Sequence, residues 1–292
     1  MNILILSRNP SLYSTQSIVD AARRRHHYVR VVDHMNCDLV IEEGKMAIYY
    51  HQQKLENIHA VIPRIGTTAT NFGAAVIRQF ESQGIFTTMG SEPLLRARDK
   101  LSCLQILAAN GIRVPKTIVG NNFYSFQSQL ELMGDPPYIL KLANGTQGLG
   151  VMLSESKSNA ESILEAFFKS EEQLLLQAFI AEAKGGDIRA FVVDGKIVGA
   201  MKRQAKAGEF RSNLHRGASA YAIDLTPEQT DTAIRAAELM GLKIAGVDML
   251  LSNQGPMILE VNASPGLEGI EGATSIDIAG SIIQYVEKSV QI

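Results

Sequence analysis

Apolar positions fall into two rhythms along this chain. Short apolar runs read as strands, and between them apolar residues recur at helical spacing. A strand at Asn2 to Leu6, a helix over Thr15 to Arg25 whose cationic end suits its dipole, and a strand at Tyr28 to Val32 predict a βαβ unit. A second round follows: AVIPRI (60–65), a helix near Asn71 to Gln83, and GIFTTM (84–89). Such alternation predicts a parallel sheet with helices on its faces. The loop SRNPSLYS (7–14) sits at the carboxyl end of the first strand, where open α/β sheets bind ligands, but it lacks GxGxxG and reads as a plain connection. His26 and His27 read as a solvated pair favoured by the helix dipole.

From Ser91 the rhythm changes. One long helix is predicted to Asn110, with Leu94, Leu101, Leu104 and Leu107 near one face and Gly111 and Pro115 stopping it. Asp99 and Lys100 within it read as a surface charge pair. A domain boundary placed just before them gives residues 1–98 and 99–292, the second part in two lobes of about 99–175 and 176–292. Strands are predicted at Tyr138 to Leu142, Gly150 to Ser154 and LLLQAFI (174–180), with a helix near Ala160 to Lys169. DIRAFVVDGKIVGAMK (187–202) carries a hairpin signal at Asp194-Gly195, placing Asp187 opposite Lys202 and Arg189 opposite Ala200. AGVDMLL (245–251) and MILEVNA (257–263), joined by SNQGP, predict another hairpin, in which Asp248 faces Glu260. The expected class is α/β: a parallel-sheet domain followed by a two-lobed α+β domain with antiparallel sheets.

Composition narrows the partners. Among 292 residues the formal net charge is -2, so no global basic field invites nonspecific nucleic-acid or anionic-membrane binding. Cys37 and Cys103 stand alone with no metal spacing, which argues against a disulfide framework and fits a reduced cytosol. MNILILS has no cationic start, and its apolar run is too short for a signal or a membrane span.

Chemistry enters through the second hairpin. Facing carboxylates lie about 4.5–5.5 Å apart at Cβ and repel, and Asn262, two residues beyond Glu260, lines the same face. All-oxygen ligands without Cys or His point to a hard cation, Mg²⁺ or Mn²⁺, shared with phosphate oxygens. A register off by one, or a neighbouring lysine or arginine, would remove that need. An opposed pair is too close for an inverting glycosidase. The glycine-rich loop between strands at 142 and 150 has no GK[ST]; it reads either as an ordinary hairpin or as a flap over phosphates, with Lys141 as a point charge. The segment KRQAKAGEFRSNLHRG (202–217) sets Lys202, Arg203, Lys206, Arg211, His215 and Arg216 against one acid, Glu209, and reads as an anion site.

Together these motifs resemble the ATP-grasp carboxylate-amine ligases, and within them the RimK-type ribosomal-protein glutamate ligases. The resemblance rests on PRIGT (63–67), ARDK (97–100), GTQGLGV (145–151), GGDIRAFVV (185–193), RSNLHRG (211–217), AGVDML (245–250) and EVNASPGLEGIE (260–271). It implies an ATP-grasp fold after residue 99, with Lys100 and Lys141 on the phosphates and Gly145, Thr146, Gly148 and Gly150 in the flap. It further implies adenine held by the backbone of Ala178 and Phe179, and Asp187, Arg211, Ser212 and Asn213 completing the nucleotide site. Asp248 would bind one metal, Glu260 would bridge two, and Asn262 would bind the second. Ala178 stands where the family commonly has an acid, Gln204 where an arginine is expected, and Ala218 where a glycine is expected.

The implied reaction phosphorylates a carboxylate with ATP and lets an amine attack the acyl phosphate. It needs positioning and charge neutralisation, and no nucleophile motif is present. Arg203 or Arg216 is the candidate for stabilising the acyl phosphate and the tetrahedral intermediate. The family's acceptor is the C-terminus of a small-subunit ribosomal protein, its amine is L-glutamate, its metals are two Mg²⁺ or Mn²⁺, and a cytoplasmic homotetramer is implied. Another ATP-grasp ligase making a small peptide or glutamylated cofactor, or a non-catalytic nucleotide-binding module, are the alternatives.

Overall fold

A computed structural model of the protein describes residues 1–121, 125–143, 150–168, 173–206, 208–214 and 217–290. In chain order the first part holds β1 (Asn2–Leu6), α1 (Tyr13–Arg24), β2 (Tyr28–Val32), β3 (Cys37–Glu42), β4 (Lys45–Tyr50), β5 (Gln53–Lys54), β6 (Ala60–Pro63), α2 (Thr70–Ser82), β7 (Phe86–Thr87) and α3 (Ser91–Arg98). Next come α4 (Lys100–Ala109), β8 (Thr117–Ile118), α5 (Phe126–Met133), β9 (Tyr138–Leu142), β10 (Val151–Ser154), α6 (Lys157–Phe168) and β11 (Leu174–Ala178). The remainder is β12 (Gly186–Val193), β13 (Lys196–Gln204), β14 (Ser219–Ala222), α7 (Pro227–Leu239), β15 (Ile244–Ser252), β16 (Gly255–Asn262), α8 (Glu268–Thr274) and α9 (Ile278–Ser289). None of the described helices is long and apolar enough to cross a membrane.

The βαβ rhythm produces a parallel sheet in the order β2-β1-β6-β7. Alternation on β1 divides its side chains. Leu4 and Leu6 join a cluster with Ile77 and Phe80 of α2, whereas Ile3 and Ile5 join Ile18 and Ala22 of α1 and Ile282, Ile283 and Val286 of α9. Each such large side chain, fully buried, contributes about 1.5–3 kcal/mol. Because α9 packs on α1, the end of the chain is fastened to its first unit.

Two antiparallel sheets follow, β10-β9-β11-β8 and β14-β13-β12-β15-β16. The first forms its own core with α5 and α6 through Leu130, Tyr138, Leu140, Leu164 and Leu176. The second is covered on both faces: Ile188, Ala190, Val192 and Val247 share a cluster with Ala233 and Ala236 of α7, while Phe191, Val193 and Met201 share one with Ile270 of α8 and Ile282 of α9. Parallel sheet first and antiparallel sheets after is the expected class.

Four details depart from the sequence expectation. The helix read over 91–110 is two helices, because Asp99 is extended (φ -85, ψ 101) and its carboxylate accepts from the Ser102 backbone N–H, capping α4. Periodicity continued across the break and hid it; an Asp three residues ahead of a Ser in an apolar run is an N-cap signal. The antiparallel sheet β3-β4-β5 occupies a stretch given no element from sequence, although Leu39, Ile41 and Met46, Ile48 alternate around the Glu43-Gly44 turn. GIFTTM supplies only the two-residue β7.

The fourth concerns register. In β12–β13 the turn pairs Val193 with Lys196 as expected, but a bulge at Val198 shifts every pair beyond it, so Asp187 faces Arg203 and Arg189 faces Met201. The partners Lys202 and Ala200 are thereby corrected. An extra residue in one strand flips no faces on the other but re-aims its partners.

Replacing Asp99 with Ala removes the cap of α4 and should lower stability by about 1 kcal/mol, read as a lower urea midpoint at unchanged m.

Candidate active site

One face of the five-stranded sheet changes character along its length. Near the β12–β13 turn, Phe191 and Val193 are apolar and covered; towards the other end Arg189 and Asp187 continue the same alternation. Across the strands this charged end forms a row: Arg203 on β13, Asp187 and Arg189 on β12, Asp248 on β15, then Glu260 and Asn262 on β16.

Asp248 does face Glu260. The route differs from the expected one, since Asn253-Gln254 forms a tight turn with Ser252 opposite Gly255, and a bulge at Leu259 restores the pairing. Asp248 is 3% exposed. Arg189 holds it bidentately, Nε to Oδ1 at 2.7 Å and a terminal nitrogen to Oδ2 at 2.5 Å, and Arg203 reaches Oδ2 at 3.0 Å. Burial works to raise this carboxyl, but Arg189 and Arg203 outweigh it and bring it down to about 2.

Arg203 is also bidentate to Asp187, at 2.7 and 2.5 Å. It is therefore a brace between two buried carboxylates, engaged through Nε and one terminal nitrogen. Arg189 is the residue that sequence reasoning missed. Its signal was available, because two positions from Asp187 on a strand means one shared face.

The lysines arrive from the neighbouring lobe. Lys100, first residue of α4, donates to the carbonyls of Leu142 (3.1 Å) and Ala143 (2.9 Å), so the expected surface charge pair with Asp99 is corrected to a half-buried cation against the end of β9. Burial lowers its pKa against the pull of Glu260. Lys141, on β9 itself, is brought by burial down to about 8, with Glu260 opposing and Lys100 adding to the effect. Glu260 thus acts on both lysines, and the phosphate and metal candidates converge on one carboxylate.

Gly150 closes the loop after β9: its φ is +70, and a Cβ there would lie 2.5 Å from Leu142 Cδ1. Its carbonyl accepts from Leu142 N–H at 3.0 Å. Gly145, Thr146 and Gly148 lie outside the described residues, as do His215 and Arg216. Ala178 ends β11, and its N–H already donates to the Lys116 carbonyl at 2.9 Å, so a purine edge would meet backbone donors only from Phe179 onward.

The basic segment is only partly open. Arg211 forks onto Glu209 at 3.0 and 2.9 Å and its other nitrogen approaches the Val151 carbonyl at 3.5 Å, which brings the segment beside β10. Ser212 hydrogen-bonds Asp187, and Asn213 follows it without a described side-chain bond. With Arg203 and Arg211 paired to acids, Lys202 and Lys206 are the described cations of this run outside any ion pair, which narrows the expected anion site.

The residues fit a divalent cation with one adjustment. Asp248 Oδ1 keeps a lone pair beside its bond to Arg189, and Glu260 accepts from Asn262 Nδ2 at 3.1 Å. Turning the Asn262 amide about χ2 exchanges Nδ2 for Oδ1 at the same place. No group of three or more His, Cys, Asp or Glu suited to a metal occurs among the described residues. Three protein oxygens leave room for the phosphate and water oxygens that complete a Mg²⁺ shell.

Antiparallel lobes with lysines and carboxylates converging on the cleft between them define an ATP-grasp site. The chain belongs to the RimK family: residues 97–286 match the RimK-like ATP-grasp domain and residues 1–94 the RimK PreATP-grasp domain. It is an ATP-dependent ligase. Similar proteins include one from Picosynechococcus sp. and one from Cellvibrio japonicus, each named probable alpha-L-glutamate ligase, 51% identical over 99% of this chain and 96% of theirs. Among solved structures, the ATP-grasp ligase PsnB with minimal precursor, Mg and ADP superposes with a TM-score of 0.76 at 21% identity, over 99% of this chain and 97% of that one. The D-alanine–D-alanine ligase of Bacillus anthracis complexed with ATP gives 0.68 at 20%, over 99% and 97%. At those identities the likeness is one of fold.

Two outcomes are expected. Arg203→Met leaves the buried Asp187 without its arginine, while Asp248 keeps Arg189, and should cost about 3–5 kcal/mol in a denaturant titration. Unfolded lysine titrates near 10.4; with Lys141 at about 8, the unfolded chain binds more protons between those values, so this group makes stability rise with pH there. Phosphate charge arriving beside Lys141 re-protonates it, so MgADP binding at roughly pH 8.5 should take up protons, measured by calorimetry in buffers of different ionisation heat. Lys141→Met should abolish the uptake.

Proposed function

We propose that the protein is an alpha-L-glutamate ligase that adds L-glutamate to the C-terminal carboxyl of a small-subunit ribosomal protein. ATP phosphorylates the acceptor carboxylate, the glutamate amine attacks the acyl phosphate, and ADP and phosphate leave. The observation that carries this reading is the convergence of Lys100, Lys141, Asp248, Glu260 and Asn262 on one cleft. Such a site neutralises and positions phosphates and leaves the bond-making to its substrates. The names of the relatives support glutamate as the amine.

Within it, Lys100, Lys141, Gly145, Thr146, Gly148 and Gly150 would hold phosphates, and Phe179 with Ala178 would border the adenine. Asp187, Arg211, Ser212 and Asn213 would frame the nucleoside. Asp248, Glu260 and Asn262 would hold two divalent ions, which when bound offset phosphate charge. Arg203 and Arg216 are the candidates for the acyl phosphate. Division at residues 98 and 99, a cytoplasmic setting and a homotetramer belong to the same proposal.

The test is to incubate the purified protein with ATP, Mg²⁺, L-glutamate and candidate acceptors while following ADP release and product mass. Glutamate-dependent turnover with acceptor mass rising by glutamyl units is expected; its absence sinks the reading, and growth of a small acceptor alone would favour a cofactor or peptide ligase. Glu260→Gln should reduce ADP release roughly 100-fold or more while circular dichroism and melting stay close to the parent. Unchanged kinetics at limiting Mg²⁺ would contradict the metal role.

A further inference from the structure

The cleft carries more positive charge than phosphates and metals explain. Beyond Glu260, β16 ends at Asn262, and Ser264-Pro265 turn back over β15, where a Cβ on Gly246 would lie 2.7 Å from Pro265 Cβ. Arg64, immediately after β6, crosses from the parallel sheet and donates to the Pro265 carbonyl at 2.6 Å. Arg98, the last residue of α3, donates to the carbonyl of Ile65, next to Arg64, at 2.5 Å. Neither guanidinium meets an acid among the described residues.

Burial brings Arg64 down to about 10, with Arg98 pushing the same way, and burial also lowers Arg98 against Glu260. Two half-buried like charges side by side, held among the described residues by carbonyls, are half of an interaction. Two orphaned polar atoms mark the other half: Arg98 Nε and Ser264 Oγ are buried without a hydrogen-bond partner. An unmet buried donor is costly, and the three groups share a short stretch of the cleft wall through Ile65 and Pro265.

We propose that Arg64, Arg98 and Ser264 form a pocket for a carboxylate of the incoming amino acid, holding that carboxylate unreacted while the amine is delivered. This rests on the glutamate-ligase reading above. Planar guanidinium forks match a planar carboxylate, whereas phosphates are served by the lysines on the other side of Glu260. A carboxylate gripped by two guanidiniums is neutralised and poorly nucleophilic, which protects it from phosphorylation. The acceptor carboxylate that is to be activated belongs beside the lysines and metal ligands instead.

The experiment is calorimetric titration of L-glutamate, L-glutamine and L-isoglutamine into the full chain saturated with MgADP, using wild type, Arg98→Lys, Arg64→Lys and Ser264→Ala. Glutamate is expected to bind wild type, and one of the two amides to bind roughly 10-fold to 100-fold more weakly. Each Arg→Lys variant should lose a similar factor for glutamate, keep its MgADP affinity, and discriminate poorly against that same amide. Equal binding of glutamate and both amides to wild type overturns the pocket without touching any variant. So does glutamate affinity within twofold of wild type in both arginine variants, or no glutamate binding at all. Glutamate-dependent ADP release, measured in parallel, separates the two ideas: turnover with unchanged variant affinity removes the pocket and leaves the ligase, and selective binding without turnover removes the ligase and leaves the pocket.

Discussion

The buried arrangement of Asp187, Arg203, Asp248 and Arg189 constrains everything around it. Four charges lie on the inner strands of a sheet, and each is tolerable there only because its neighbours point at it with near-ideal geometry. That requirement fixes the registers of β12 with β13 and with β15, because a one-residue slip would turn Asp187 or Arg189 into the apolar side. It also sets the far edge of the row, where Glu260 has no arginine facing it and must find its cations elsewhere.

Those cations come from other parts of the chain. Lys100 and Lys141 in the adjoining lobe and Arg98 at the end of α3 all feel the charge of Glu260 without an ion pair to it among the described residues. One carboxylate therefore ties together three segments that are far apart in sequence. The packing of α9 on α1 and the bond from Arg64 to Pro265 keep the parallel sheet in place against the cleft, so the wall formed by its strand ends belongs to the site. Arg64 follows the carboxyl end of β6, the edge at which open α/β sheets bind ligands.

How much was legible in the sequence follows from which signals are local. The βαβ units, the two hairpins and the facing of Asp248 and Glu260 came from periodicity and turn chemistry, which a single strand pair determines. The bulges at Val198 and Leu259 did not, because one extra residue leaves no mark on apolar alternation when Val and Leu are themselves apolar. One bulge spoiled the predicted partners of Asp187 and Arg189; the other restored a pairing that the assumed turn would have reached by a different path. The break at Asp99 was hidden for a related reason: leucines before and after it keep nearly the same phase.

The depth of Arg203 was not legible because charge runs carry no information about burial. In a linear string Arg203 belongs with Lys202 and Lys206; in the sheet it points to the buried face and they do not share its partners. Arg64 and Arg98, which the sequence placed only within the motifs PRIGT and ARDK, are half-buried in the fold. Arg189 and Arg203 are paired with the buried carboxylate of Asp248, whereas Arg64 and Arg98 form no ion pair among the described residues and donate to backbone carbonyls instead.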